Sequence, residues 1–117
     1  MKILLINILA LMVLFSACGK IEPAEMVVQP TSLNFGETET SKKVYVVNTG
    51  DERLDWRIDT SIFFQTWIDF APASGTNDAD VTISINRENL SHGSYKGELS
   101  FISNGGNKKV EIILIVF

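Results

Sequence analysis

From Met26 onward apolar residues recur at every second position, in short runs broken by Gly, Asn and Asp, and that period confines the chain to strands. Leu54, Trp56 and Ile58 share one face while Asp55, Arg57 and Asp59 share the other, the pattern of a strand with one side in water. Val81, Ile83 and Ile85 alternate with Thr82, Ser84 and Asn86. Tyr95, Leu99 and Phe101, with Gly97 between them, alternate with Lys96, Glu98 and Ser100, and Leu33 pairs with Phe35. Eight runs stand between turn signals: Met26 to Gln29, Ser32 to Phe35, Lys42 to Asn48, Leu54 to Asp59, Thr66 to Phe70, Asp80 to Asn86, Tyr95 to Ser103 and Lys108 to Phe117. Their spacing predicts an all-β sandwich of seven to eight strands, with the apolar faces forming its core.

Turn chemistry falls between the runs. Asn48-Thr49-Gly50-Asp51, Ser91-His92-Gly93 and Asn104-Gly105-Gly106-Asn107 supply residues that tolerate positive φ. The last of these is expected to close a hairpin between the two final strands. From Val110 to Phe117 only Glu111 is polar, so the terminal strand is expected to be central or capped by a neighbour, because an exposed apolar edge invites aggregation.

The start of the chain is different. Met1-Lys2 precedes Ile3 to Phe15, in which only Asn7 is polar, and then Ser16-Ala17-Cys18. A charged start, a short apolar stretch and small exit residues read as a signal peptide over residues 1–17, since a spanning helix needs about 18 to 20 apolar residues. The alternative is a short anchor that stays attached. Phe15-Ser16-Ala17-Cys18 resembles the bacterial lipobox, with Phe where Leu is preferred. The resemblance implies that Cys18, the only Cys in the chain, is the first mature residue and carries lipid, so that the membrane is one partner. Three acyl chains, the usual end state of Gram-negative lipoproteins, hold far more firmly than one. Residues 18–25 read as a polar tether and 26–117 as one domain. Lys20 and the acids behind Cys18 loosely resemble the surface-export signal of Bacteroidetes lipoproteins, with Ile21 interrupting. An outer-membrane position is expected, on either the surface or the periplasmic face.

Charge and composition remove several functions. A formal balance of −4 argues against nucleic acid, whose affinity comes from clustered Lys and Arg. One Cys permits no intrachain disulfide, and one His makes a Cys and His zinc site implausible. Asp51-Glu52 with Asp55, and Asp78 with Asp80, lack the spacing of a calcium loop. Ser91-His92 has no orienting acid at a recognisable spacing, and paired carboxylates need a cleft that a small sandwich hardly offers. The chain is expected to be no enzyme and to hold no metal or cofactor.

Aromatic residues are the remaining candidates for binding. Trp56 lies on the apolar face of an alternating strand and belongs to the expected core. Trp67 follows Thr60 to Thr66, a stretch that includes Phe63 and Phe64. Adjacent residues of an extended chain point opposite ways, so one of the two phenylalanines should face outward unless the segment folds back. Phe63, Phe64 and Trp67 are therefore the candidate ligand-binding residues, against the alternative that the loop packs over the open end of the sandwich.

Taken together, Leu33-Asn34-Phe35-Gly36, Val44 to Gly50, Leu54-Asp55-Trp56, Trp67-Ile68, Ala73-Ser74-Gly75-Thr76, Val81 to Asn86 and Gly93 to Gly97 resemble a BACON domain, the Bacteroidetes-associated, carbohydrate-binding, often N-terminal module. Leu-x-Phe-Gly followed by a strand and Asn-Thr-Gly also resembles the immunoglobulin-like domains named after ciliary and centrosomal ASH proteins. Both resemblances imply an immunoglobulin-like β-sandwich. The BACON resemblance further implies recognition of carbohydrate, including mucin-type glycans, or a spacer role, and nominates no sugar site. A glycan ligand is thus one expected partner. The second reading is an accessory lipoprotein that docks onto a larger envelope or glycan-uptake protein complex.

Overall fold

A computed structural model of the chain describes residues 20–60 and 65–117. Among them there are nine strands and no helix: β1 (Met26–Gln29), β2 (Ser32–Asn34), β3 (Ser41–Asn48), β4 (Asp55–Asp59), β5 (Ile68–Ala71), β6 (Ser74–Thr76), β7 (Ala79–Ile85), β8 (Gly93–Ser103) and β9 (Lys108–Val116). They form two sheets, β1-β3-β7-β5 and β2-β9-β8-β4-β6. All pairings are antiparallel except β2 with β9. Every connection except β8–β9 crosses between the sheets, and a cis X-Pro bond stands at two of these crossings, Gln29-Pro30 after β1 and Ala71-Pro72 after β5.

The alternation read in the sequence sets which face is buried. Leu54, Trp56 and Ile58, then Val81, Ile83 and Ile85, and then Leu99 and Phe101 all point into one core with Phe35 and Leu33. Trp56 and Phe101 meet across β4 and β8 with ring centroids 6.1 Å apart and planes at 41°. Trp56 is 3% exposed, and its Nε1 donates to the carbonyl of Asn77 at 3.1 Å, which satisfies the indole's one donor. No polar side chain is buried among the described residues.

The ninth strand is a departure from the eight expected runs. Ser74-Gly75-Thr76 has no large apolar residue, so no alternation announces it, yet it pairs with β4 through Trp56↔Gly75. A Cβ on Gly75 would lie 2.6 Å from the Trp56 ring, so the short strand serves as a lid over the indole. The expected hairpin is present: β8 and β9 pair from Gly93↔Val116 to Phe101↔Lys108, and Gly106 turns it with φ 106°.

β9 lies between β8 and β2, as its apolar run demanded. Its inner residues Val110, Ile112, Leu114 and Val116 are buried, while Ile113 and Ile115 on the outer face are half-buried. Arg87 closes the end of β9 that β2 does not reach. Its guanidinium donates to the carbonyls of Glu39 at 2.6 Å, Gly36 at 2.9 Å, Phe35 at 3.3 Å and Ile115 at 3.4 Å. The fixed fork of donors suits Arg to such a cluster of acceptors.

The segment expected to be a tether is docked from Glu22 onward. The Glu22 N–H donates to Asp51 Oδ2 at 2.9 Å, and the Glu22 carbonyl accepts from the N–H groups of Asp51 and Glu52 at 3.0 and 3.2 Å. The Glu25 carbonyl accepts from Thr49 N–H at 2.9 Å, and Met26 N–H reaches the Gly105 carbonyl at 2.9 Å. Residues 22–25 thus form a strap across one end of the sandwich, over the β3–β4 and β8–β9 turns.

Candidate functional site

The residues nominated from the sequence divide sharply. Cys18, Phe63 and Phe64 lie outside the described residues. Trp67 is 7% exposed and packs edge-on against Tyr95, with centroids 6.2 Å apart and planes at 68°. Gly97 makes room for it: a Cβ there would meet the Trp67 ring at 3.2 Å and Ile68 at 2.6 Å. Trp67 is therefore a core residue in this arrangement, and stacking on a ligand would require the ring to leave its seat.

Among the described residues, Tyr45 and Phe117 are the aromatic side chains classed as exposed. Tyr45, 47% exposed, stands mid-strand on the outer face of the β1-β3-β7-β5 sheet. β3 turns Val44 and Val46 inward, which sends Lys43, Tyr45 and Val47 out to solvent. The register sets Gln29 of β1 on one side of Tyr45 and Asp80 of β7 on the other. In the adjacent rows Val27 lies opposite Val47, and Lys43 opposite Thr82. The result is a flat aromatic platform with an amide and a carboxylate one strand spacing away, roughly 5 Å to either side, and an ammonium and a hydroxyl in the next row at roughly 7 to 8 Å.

Sequence reasoning passed over Tyr45. Val44-Tyr45-Val46-Val47 is an unbroken apolar run, and such a run conceals its parity. Placing Val44 and Val46 inward would have put Tyr45 on the side of Lys43, and that was the available signal.

The two outer faces differ in how their charges are used. On the β2-β9-β8-β4-β6 sheet, Glu98 and Glu111 are directly opposed, and each is relieved by a lysine, Lys109–Glu98 at 3.5 Å and Lys96–Glu111 at 3.0 Å. Arg53 holds Asp55 at 2.9 Å and Arg57 holds Asp59 at 3.8 Å. A shallow groove of about 600 Å³ lined by Asp55, Arg57, Ser74, Thr76 and Ile102 lies on this same face, and its charged groups are tied up in those pairs. On the Tyr45 face, by contrast, the side chains of Gln29, Lys43, Tyr45, Asp80 and Thr82 make no hydrogen bond or ion pair with other described residues. Their donors and acceptors are open to a ligand. No group of three or more His, Cys, Asp or Glu among the described residues is placed to hold a metal ion.

Two sheets of four and five strands, with a switch of the first strand from one to the other, define an immunoglobulin-like β-sandwich with a polar-flanked aromatic on one face. The chain belongs to the viral BACON domain family, whose model matches residues 25–112. Solved structures of similar fold include a Bacteroides ovatus GH5 xyloglucanase in complex with a XXXG heptasaccharide, at 11% identity and TM-score 0.64, over 81% of this chain and 19% of that one. The periplasmic chaperone SfaE matches at 9% identity and TM-score 0.60, over 78% of this chain and 56% of the chaperone. The chain therefore spans less than two thirds of either protein. The Caenorhabditis elegans MSP family member WR4 matches at 13% identity and TM-score 0.57, over 81% of this chain and all of that one. Identities this low show the shared fold alone. No curated protein matches the chain.

Proposed function

We propose that the chain is a non-catalytic glycan-recognition or adhesion module, held by lipid on Cys18 in the outer membrane of a bacterial envelope, with Tyr45 as its stacking platform. The observation that carries this reading is the exposed Tyr45 ring between Gln29 and Asp80. A sugar presents an apolar C–H face and a rim of hydroxyls, and an aromatic ring bordered by unpaired donors and acceptors complements both. Family membership supports the same ligand class, and a fold neighbour is a xyloglucanase solved with a heptasaccharide. Phe63 and Phe64 remain candidate ligand-binding residues on the sequence pattern alone.

A glycan array probed with residues 19–117 tests the reading. Binding is expected to fall at least tenfold in Tyr45→Ala, and a separate Phe63→Ala/Phe64→Ala variant measures the contribution of the loop. Hits unchanged by Tyr45→Ala would remove the platform, and no hits above background would favour docking instead. That second reading, an accessory lipoprotein seated on a larger envelope or glycan-uptake complex, is favoured by the half-buried Ile102, Ile113 and Ile115 on the opposite face. Ile113→Lys with Ile115→Lys should then displace the protein from such a complex on native gels.

A further inference from the structure

We infer that the Tyr45 face selects neutral glycans and rejects anionic ones, with Asp80 as the specificity-determining acceptor; the inference deepens the glycan reading and rests on it. Four exposed carboxylates, those of Glu25, Asp69, Asp78 and Asp80, lie on or directly beside the strands of this face. One lysine, Lys43, opposes them. Lys42 has the other parity and is held on Glu39 at 3.0 Å. The opposite sheet, whose acids are matched by Arg53, Arg57, Lys96 and Lys109, carries no such imbalance.

Asp80 sits one strand away from Tyr45 in register, a spacing of roughly 5 Å that lies inside the Debye length of about 8 Å at physiological salt. A carboxylate at that place accepts charge-assisted hydrogen bonds from the hydroxyls of a ring stacked on Tyr45. Gln29, on the other side, can both donate and accept. A sialic acid carboxylate or a sulfate brought to the same ring meets Asp80 first. A like charge at that spacing disfavours the anion by roughly two- to threefold in water. Glu25 and Asp69, each four residues along from the row of Tyr45, lie beyond the Debye length, so Asp80, nearer in register than Lys43 one row along, sets the sign.

The full chain in a sugar-free detergent, titrated with N-acetyllactosamine, its sialylated form and its sulfated form, tests this. The neutral glycan is expected to bind about two- to threefold tighter than either anionic one, with the gap narrowing as salt is raised from about 0.05 to about 0.5 M. Asp80→Asn keeps the shape and removes the charged acceptor; it should weaken the neutral glycan about tenfold. It should also close the gap between the neutral and sialylated forms, whereas Glu25→Gln with Asp69→Asn, farther off than a Debye length, should leave that gap unchanged. Equal or tighter binding of the anionic glycans by the unaltered chain, or an Asp80→Asn variant with unchanged affinity and an unchanged melting curve, overturns the inference while leaving a Tyr45-dependent glycan site standing. Binding of neither class, or binding indifferent to Tyr45→Ala, overturns the glycan reading itself and this inference with it.

Discussion

Asn48 shows how much one side chain can organise. Its Oδ1 accepts from the N–H groups of Gly50 at 3.0 Å and Glu25 at 3.2 Å, and its Nδ2 donates to the Glu52 carbonyl at 2.8 Å and to Asn77 Oδ1 at 3.1 Å. The turn after β3, the strap and the start of β7 are joined through this amide. Asn48→Ala strands several of these partners, and an expected loss of about 2 to 3 kcal/mol would be read by urea denaturation. The Asn-Thr-Gly triplet was legible as a turn, but the reason for its glycine was not. Gly50 was expected to supply a positive φ, yet it has none among the positive-φ residues; a Cβ there would stand 1.8 Å from the Pro23 carbonyl oxygen. Its service is space for a segment some 25 residues upstream, and no local pattern reports such a neighbour.

At the scale of the element, legibility followed periodicity. β4, β7 and β8 alternate cleanly and were placed within two residues of their observed ends. β6 lacks apolar residues and was missed, and the parity of β3 was hidden in a four-residue apolar run, which is why the platform escaped notice while two buried tryptophans drew attention. β9 was read from its composition, and its place between β2 and β8 makes it indispensable. Ending the chain after Glu111 removes Ile112, Leu114 and Val116 from the core and most of the partners of β2. An insoluble product is expected, checked by sedimentation of the expressed protein; a soluble, cooperatively melting truncation would contradict the role assigned to this strand.

For the whole molecule, the strap changes what the proposed anchor implies. Only residues 18–21 are left between the lipid-bearing Cys18 of our proposal and the docked Glu22, a reach of at most about 14 Å. A glutamate-specific protease should cut slowly after Glu25 in the intact protein and readily in Gly50→Leu, whose side chain would displace the strap; equal cleavage of both proteins there, measured by mass spectrometry, would argue against a docked segment. Radiolabelled palmitate should enter the full chain and fail to enter Cys18→Ser. Tyr45 lies three residues from the strapped end of β3, about 10 Å along the strand, and it looks out sideways from the sandwich. On so brief a leash the domain cannot fish far from the bilayer; it would survey sugars planted beside it in the same membrane, as a neighbour leaning over a low fence and not as a sentry on a mast.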